Sequence, residues 1–147
     1  DYAIRKAILF DVRTICGRDI ECSDVDLSLV EEGMAVLFST GFLSEKGYGT
    51  KEYIKEHPEL SPSLIDALLE KKVSLIIIDA TGIRRGKDHT PADQKCADHG
   101  AFVIENAANL ETLPRDRKIF ELYTFPSAFV GFSGVPVRLV AKIEDVL

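Results

Sequence analysis

Residues 74–110 read SLIIIDATGIRRGKDHTPADQKCADHGAFVIENAANL and have the layout of a strand, a loop, a helix and a second strand. The first apolar run, Leu75–Ile78, is rich in β-branched residues and shows no polar alternation, which is typical of a strand buried on both faces. The second run, residues 101–104, is also apolar, and each run is followed by an acid, Asp79 or Glu105. If the strands are parallel neighbours, a right-handed crossover places both acids at one edge of the sheet. Open α/β sheets usually bind ligands at that edge.

A helix is predicted between these two strands. Its start is predicted at Thr90, because a hydroxyl cap, a proline at the first helical position and Asp93 three residues after the cap form a capping pattern. Its end is predicted at His99, since Gly100 follows directly. Cys96 lies in the middle of this helix and is predicted to pack as a small hydrophobic residue.

Apolar runs elsewhere predict four more strands and three more helices. We expect strands at residues 7–10, 35–38, 119–125 and 136–143, and helices at residues 24–32, 51–57 and 62–72. His57 precedes a proline at a helix end and is predicted to be a surface residue. Helices and strands interleave early and strands dominate the end, which predicts an α/β fold with mixed strand directions. The whole chain, residues 1–147, is most simply a single domain.

Composition narrows the classes of partner. A net charge of -6 argues against nucleic acid, because phosphate binding needs a clustered positive face. No apolar run approaches the ~20 residues of a membrane span. Three scattered cysteines are too few for a disulfide framework, which favours a reducing, cytoplasmic compartment. The chain begins at Asp1 and not at a methionine, so we expect that a native N-terminal segment is missing.

Candidate metal ligands cluster in the region of the predicted helix. His89, Asp93, His99 and Glu105 lie close in sequence, and imidazole with carboxylate is the usual ligand set for zinc or manganese. His89 and Asp93 share a helix face only if the helix begins early enough to include His89. Asp93 is equally explained by the helix cap, and His99 by the helix C-terminus. Glu105 needs a partner for its charge at the strand edge, so we expect a functional role for it.

Two other features are candidates for binding substrate. Arg84 and Arg85 can clamp a carboxylate through their guanidinium groups, or they belong to a solvated loop. The turn Thr40-Gly41-Phe42 follows a predicted strand, so its backbone N–H groups can face a ligand, although such glycine turns are often only turns.

Four stretches in this order resemble the metal-dependent cyclase family, which includes bacterial kynurenine formamidases (arylformamidases) and isatin hydrolases. They are VLFSTGF (36–42), GYGTKEYIKEHPELSPSLIDALLEKKVSLIIIDATG (47–82), the segment 89–105 with its continuation VIENAANLETL (103–113), and FPSAFVGFSGVPVRLVAKI (125–143). The resemblance implies a swivelling β/β/α fold and a homo-oligomer, either a dimer or a tetramer. It also implies hydrolysis of an amide or lactam C–N bond with a divalent metal, Zn²⁺ or Mn²⁺.

The resemblance also implies roles for individual residues. In that family an N-terminal motif, HxGTHxDxPxH, supplies most metal ligands, and a later histidine and glutamate complete the site. The motif does not occur here, and Glu105 matches the late glutamate. The family histidine falls on Asp93, while His89 lies one helical turn earlier, so either residue can take its role. Glu105 and Asp93 are thus the expected metal ligands, and His89 or Asp93 the expected proton-transfer group.

The missing motif motivates an alternative function. The chain can be a non-catalytic or regulatory relative that binds a small anionic or aromatic ligand. Arg84, Arg85 and the Thr40-Gly41 turn are the residues expected to bind that ligand.

Overall fold

A computed structural model describes residues 2–115 and 118–143. Its centre is a mixed six-stranded sheet in the order β4-β3-β2-β1-β5-β6. The first four strands are parallel, and β5 and β6 are antiparallel to their neighbours. The strands are β1 (Ile4–Asp11), β2 (Ala35–Ser39), β3 (Leu75–Ile78), β4 (Phe102–Ile104), β5 (Phe120–Pro126) and β6 (Val137–Lys142). The predicted α/β class with mixed strand directions is confirmed.

Within the described residues, four α-helices connect and cover the strands. They are α1 (Phe42–Lys46), α2 (Lys51–Glu56), α3 (Pro62–Glu70) and α4 (His89–Asp98). Helix α3 begins as predicted, because the Ser61 hydroxyl accepts a hydrogen bond from the Leu64 N–H at 3.2 Å and Pro62 occupies the first turn. Its apolar stripe is buried against the sheet.

The central strands are buried on both faces of the sheet. Val36 and Ile76 belong to the core on the side of α3, whereas Leu37 and Ile77 belong to the core on the opposite side. This explains why the runs 35–38 and 75–78 show no polar alternation. At the far side of the sheet, β5 alternates between buried and more exposed side chains.

The prediction of a helix at residues 24–32 is wrong. The segment forms two short 3-10 turns, Cys22–Asp24 and Leu27–Leu29. The Asp24 carboxylate accepts hydrogen bonds from the Glu21 N–H and from both terminal nitrogens of Arg18, at 2.6 to 2.8 Å. The Asp26 carboxylate likewise accepts from the Ser28 N–H at 3.1 Å. Such local bonds compete with helical ones and end each turn early.

The predicted start of α4 at Thr90 is also wrong. A 3-10 turn, Gly86–Asp88, leads directly into α4, which begins at His89, and no side chain caps its first turn. Asp93 is therefore not a capping residue, and it shares a helix face with His89. The helix ends as predicted, since His99 occupies the C-cap and Gly100 has a φ of 75°.

The predicted surface position of His57 is wrong. The ring is fully buried, and its Nδ1 lies 3.1 Å from the Pro58 carbonyl oxygen. Cys96 is fully buried, as predicted. The predicted domain, residues 1–147, extends past the described residues at both ends, and Asp1 lies outside them. Within residues 2–115 and 118–143, no helix combines the length and hydrophobicity needed to cross a membrane.

Candidate metal site

The candidate site lies where β3 and β4 end. These strands are parallel neighbours, with Ile77 opposite Ile104, so the residues that follow them meet at one edge of the sheet. Glu105 follows β4 directly, and the loop after β3 leads into α4 at that same edge. The first turn of α4 therefore faces the glutamate, as the crossover geometry predicts.

His89, Asp93 and Glu105 form one cluster at this edge. His89 Nε2 lies 2.6 Å from Glu105 Oε1 and 3.2 Å from Asp93 Oδ2. One potential ligand atom from each of the three residues lies within 4.8 Å of the other two. The spacing of four between His89 and Asp93 places both on the face of α4 that meets Glu105. From the sequence, His89 and Asp93 were alternative candidates for the role of the family histidine. The structure places both of them beside Glu105.

The atoms of this cluster fit a divalent cation. Asp93 Oδ1 is buried and has no hydrogen-bond partner in the described part of the chain. Burial raises the pKa of Asp93, and the neighbouring Glu105 charge raises it further, although His89 opposes both effects. Burial lowers the pKa of His89, but the hydrogen bond that the ring donates to Glu105 and the two acidic charges outweigh this effect and raise it overall. One imidazole nitrogen and two carboxylates are donors that zinc and manganese accept.

Gly82 allows this cluster to form, and sequence reasoning missed it. Its φ is +125°, and a Cβ there would lie 2.9 Å from the Arg84 carbonyl oxygen, 3.1 Å from His89 Nε2 and 3.2 Å from Glu105 Oε1. Only glycine leaves this space free. The sequence did contain a signal for it, because Gly82 follows strand β3 after only three residues. Glycine in such a loop often marks a place where the backbone approaches a ligand or a side chain closely.

Asp79 binds the turn that was predicted to bind substrate. This buried carboxylate accepts hydrogen bonds from the Thr40 N–H and hydroxyl, both at 2.7 Å, and from the Gly41 N–H at 2.8 Å. Burial raises the pKa of Asp79, while these hydrogen bonds act in the opposite direction. Phe42 begins α1 and donates its N–H to the Thr40 hydroxyl. These donors are engaged within the chain, and a substrate role for Thr40, Gly41 and Phe42 stays a prediction.

The two loop arginines also pair with acids of the chain. Arg84 Nη1 donates to Asp19 Oδ2 at 2.7 Å and to the Leu60 carbonyl oxygen at 3.0 Å. Arg85 donates its backbone N–H and its Nε to the two oxygens of Glu59, at 2.7 and 2.8 Å. These bonds fix the loop that carries His89. A substrate role for either arginine stays a prediction.

A cavity of about 310 Å³ opens beside the cluster. Its walls combine polar and apolar groups from five parts of the chain. They include Tyr48, Ile54, Arg85, His89, Glu105 and Asn106. His99 is not a member of the cluster, since its ring is exposed and its Nδ1 lies 2.8 Å from the Lys95 carbonyl oxygen within α4.

Comparison with known proteins places this arrangement in context. The sequence profile of the family described as "Putative cyclase" matches residues 1–84. A search of curated proteins gave no match. Solved structures do match, and they confirm the cyclase-like fold. One, described as a potential metal-dependent hydrolase with cyclase activity, is 24% identical with a TM-score of 0.78, over 95% of this chain and 65% of that one.

Two further structures are similar to the same degree. A predicted metal-dependent hydrolase from Bacillus stearothermophilus is 23% identical with a TM-score of 0.78, over 96% of this chain and 64% of that one. An isatin hydrolase bound to the product analogue thioisatinate is 20% identical with a TM-score of 0.78, over 96% of this chain and 62% of that one. The chain therefore spans slightly less than two thirds of the length of each of these three structures.

Proposed function

Because the chain belongs to the putative cyclase family, we propose that it is part of a metal-dependent hydrolase that cleaves an amide or lactam C–N bond, as arylformamidases do. The observation that carries this proposal is the cluster of His89, Asp93 and Glu105 beside a cavity at the carboxyl edge of parallel strands. Isatin is a lactam, and one of the similar structures is named an isatin hydrolase.

Each residue of the cluster has a proposed role. Glu105 and Asp93 would hold Zn²⁺ or Mn²⁺ through carboxylate oxygens, and the buried, unpaired Asp93 Oδ1 supports this assignment. When bound, such a cation supplies a Lewis acid that activates water and polarises a carbonyl group. His89 Nε2 lies 2.6 Å from Glu105 Oε1 and 3.2 Å from Asp93 Oδ2 and donates its proton to them when no cation is bound. With a cation neutralising both carboxylates, Nε2 would lose this proton and be free to take the proton that the attacking water loses. The same nitrogen then gives the proton to the leaving nitrogen as the C–N bond breaks.

Metal binding gives the first test. Isothermal titration calorimetry with MnCl₂ and ZnCl₂ should show binding by the unmodified chain, and Glu105→Gln should weaken it by at least about 10-fold. Glu111→Gln is the matched control, because Glu111 is exposed on the 3-10 turn Leu110–Thr112 and lies outside the cluster. Equal affinities in the two variants would contradict the proposed ligand set.

Turnover gives the second test. N-formylkynurenine and isatin should be hydrolysed when Mn²⁺ or Zn²⁺ is added, and chelation should remove the activity. Absence of turnover on any amide or lactam with metal present would count against the hydrolase. A non-catalytic relative remains the alternative outcome, but the groups expected to bind its anionic ligand are already paired with Asp19, Glu59 and Asp79.

We also propose a homo-oligomer, a dimer or a tetramer, in the cytoplasm. The loop between β5 and β6 exposes 61% of Phe129, 95% of Val130 and 68% of Phe132, and exposed apolar groups of this size favour a protein interface. All three cysteines are free thiols, which agrees with a reducing compartment. Light scattering that shows a stable monomer would contradict the oligomer.

A further inference from the structure

The buried side chain of Tyr53 orients the side chain of Asn106, the residue that directly follows the candidate metal ligand Glu105. Tyr53 lies on α2 with its side chain fully buried, and its hydroxyl donates a hydrogen bond to Asn106 Oδ1 at 2.7 Å. Burial raises the pKa of Tyr53 to about 12, so the hydroxyl keeps its proton and acts as a donor at neutral pH. Because the tyrosine occupies the oxygen of the carboxamide, the Asn106 nitrogen is turned away from it.

The nitrogen of this carboxamide is available to a ligand. Asn106 Nδ2 has no hydrogen-bond partner in residues 2–115 and 118–143, and it is not among the buried unpaired atoms. Asn106 lines the same 310 Å³ cavity as His89 and Glu105. The unpaired N–H donor therefore belongs to a residue that follows the proposed metal ligand Glu105 and lines the cavity.

The backbone fixes the base of the same side chain. Asn106 has a φ of +56°, a left-handed conformation that asparagine tolerates better than most residues. Its N–H donates to the Ala80 carbonyl oxygen at 2.9 Å, and the next N–H, of Ala107, donates to Ile78 at 3.1 Å. The backbone and the carboxamide oxygen are thus both held, which makes the free N–H group a preorganised donor.

We propose that Asn106 is a catalytic residue whose Nδ2 donates a hydrogen bond to the carbonyl oxygen of the substrate amide, and that Tyr53 is the residue that positions it. This inference rests on the proposed hydrolase function. As water adds to the carbonyl carbon, the carbonyl oxygen gains negative charge, so a fixed donor binds the transition state more strongly than the substrate. Asn106 would recognise only the carbonyl oxygen of the amide, so its role does not depend on the other substituents of the substrate.

Two asparagines in the same loop allow a matched kinetic test. Asn106→Gly removes the carboxamide and keeps the left-handed backbone without strain, and Asn109→Gly makes the same change at an exposed residue with a φ of 64° outside this cavity. Asn106→Gly should lower kcat for isatin by about 10²-fold to 10³-fold with little change in KM, the loss seen when one such donor is removed. Asn109→Gly should leave both constants unchanged.

The positioning role of Tyr53 is tested by removing its hydroxyl group. Tyr53→Phe keeps the ring and loses the hydroxyl, so the carboxamide oxygen loses its hydrogen bond and the carboxamide can rotate. We expect kcat to fall by about 10-fold, the equivalent of one hydrogen bond, while the Mn²⁺ affinity stays the same. A lowered Mn²⁺ affinity in this variant would show a general structural role and would overturn the positioning role.

A spectroscopic readout separates this inference from the proposed function. Protein labelled with ¹⁵N-asparagine gives side-chain NH₂ signals, and the pair missing in Asn106→Gly belongs to Asn106. Benzamide, an unreactive amide, should shift that pair in the unmodified chain and shift it less in Tyr53→Phe. An Asn106 pair that benzamide leaves in place overturns the inference whatever the turnover assay gives. The metal affinity of Glu105→Gln decides the proposed function separately.

Discussion

Replacing Gly82 by alanine should disrupt the candidate site and destabilise the fold together. The residue has a φ of +125°, where an L side chain is strained by about 1–3 kcal/mol. The new Cβ would lie 2.9 Å from a backbone carbonyl oxygen that cannot rotate away, and 3.1 and 3.2 Å from the hydrogen-bonded pair of His89 and Glu105. Overpacking of this kind adds about 1–3 kcal/mol. Gly82→Ala should therefore lower the free energy of unfolding by about 2–6 kcal/mol in total.

Gly86→Ala, in the same loop, is the matched control. Gly86 has a φ of +58°, but a Cβ there meets no atom within 4 Å, so alanine adds only the left-handed strain of about 1–2 kcal/mol. Equilibrium urea unfolding of both variants measures the difference, and calorimetry with MnCl₂ measures the site. An equal loss of stability in Gly82→Ala and Gly86→Ala would contradict the predicted clash at Gly82. An unchanged Mn²⁺ affinity of Gly82→Ala would contradict the predicted disruption of the site.

Three further predictions follow from other contacts. The hydrogen bond from Arg18 lowers the pKa of Asp24 from 3.8 to about 2. The stabilisation that the Asp24 carboxylate contributes is therefore present above pH 3.8 and is lost as the pH falls toward 2. An NMR titration of Asp24 should show a midpoint near this pKa, and Arg18→Gln should raise the midpoint. Burial raises the pKa of Cys96 to about 11, so mass spectrometry after alkylation of the folded protein should find label on the exposed Cys16 and none on Cys96. Ser61→Ala removes the cap of α3 and should lower the free energy of unfolding in urea by about 1 kcal/mol.

The strands were predictable because their sequence pattern reports burial directly. The runs 35–38 and 75–78 are apolar at every position, and the structure covers both of their faces. The alternating run 119–125 was equally informative, because β5 alternates in burial at the far side of the sheet. Burial in a strand can be predicted from such a pattern without knowing which strand pairs with it, because the polarity of each residue indicates whether its side chain is buried or exposed.

The start of α4 was not predictable from the same kind of signal. Thr90 and Asp93 form a valid local capping pattern, but the chain enters the helix from a 3-10 turn and includes His89 in it. His89 then contacts Glu105, sixteen residues away, at 2.6 Å. A local pattern cannot weigh a contact made across the sheet edge, and here the long-range contact is the one that is formed.

His57 shows the same limit for burial. Its position before Pro58 at a helix end is typical of the surface, yet the ring is fully buried. Burial lowers the pKa of His57; among the nearby charges, Arg85 lowers it further and Glu59 opposes this. Glu59 also pairs with Arg85, which lies 26 residues further along the chain. Arg85 belongs to the loop after β3, so the surroundings of this ring include a segment that no sequence pattern around His57 records.

The three residues of the cluster place two acids and one imidazole side by side. Asp93 and Glu105 have oxygen atoms within 4.8 Å of each other, and burial together with the Glu105 charge raises the pKa of Asp93. His89 relieves part of the repulsion between these acids by contacting both carboxylates. Asp93 Oδ1 is buried without a hydrogen-bond partner in the described residues, and a divalent cation would supply both a positive charge and a partner for it. Helix α4 brings both Asp93 and His89 to Glu105. In the proposed hydrolase the acid would provide charge for the cation and the imidazole would carry the proton.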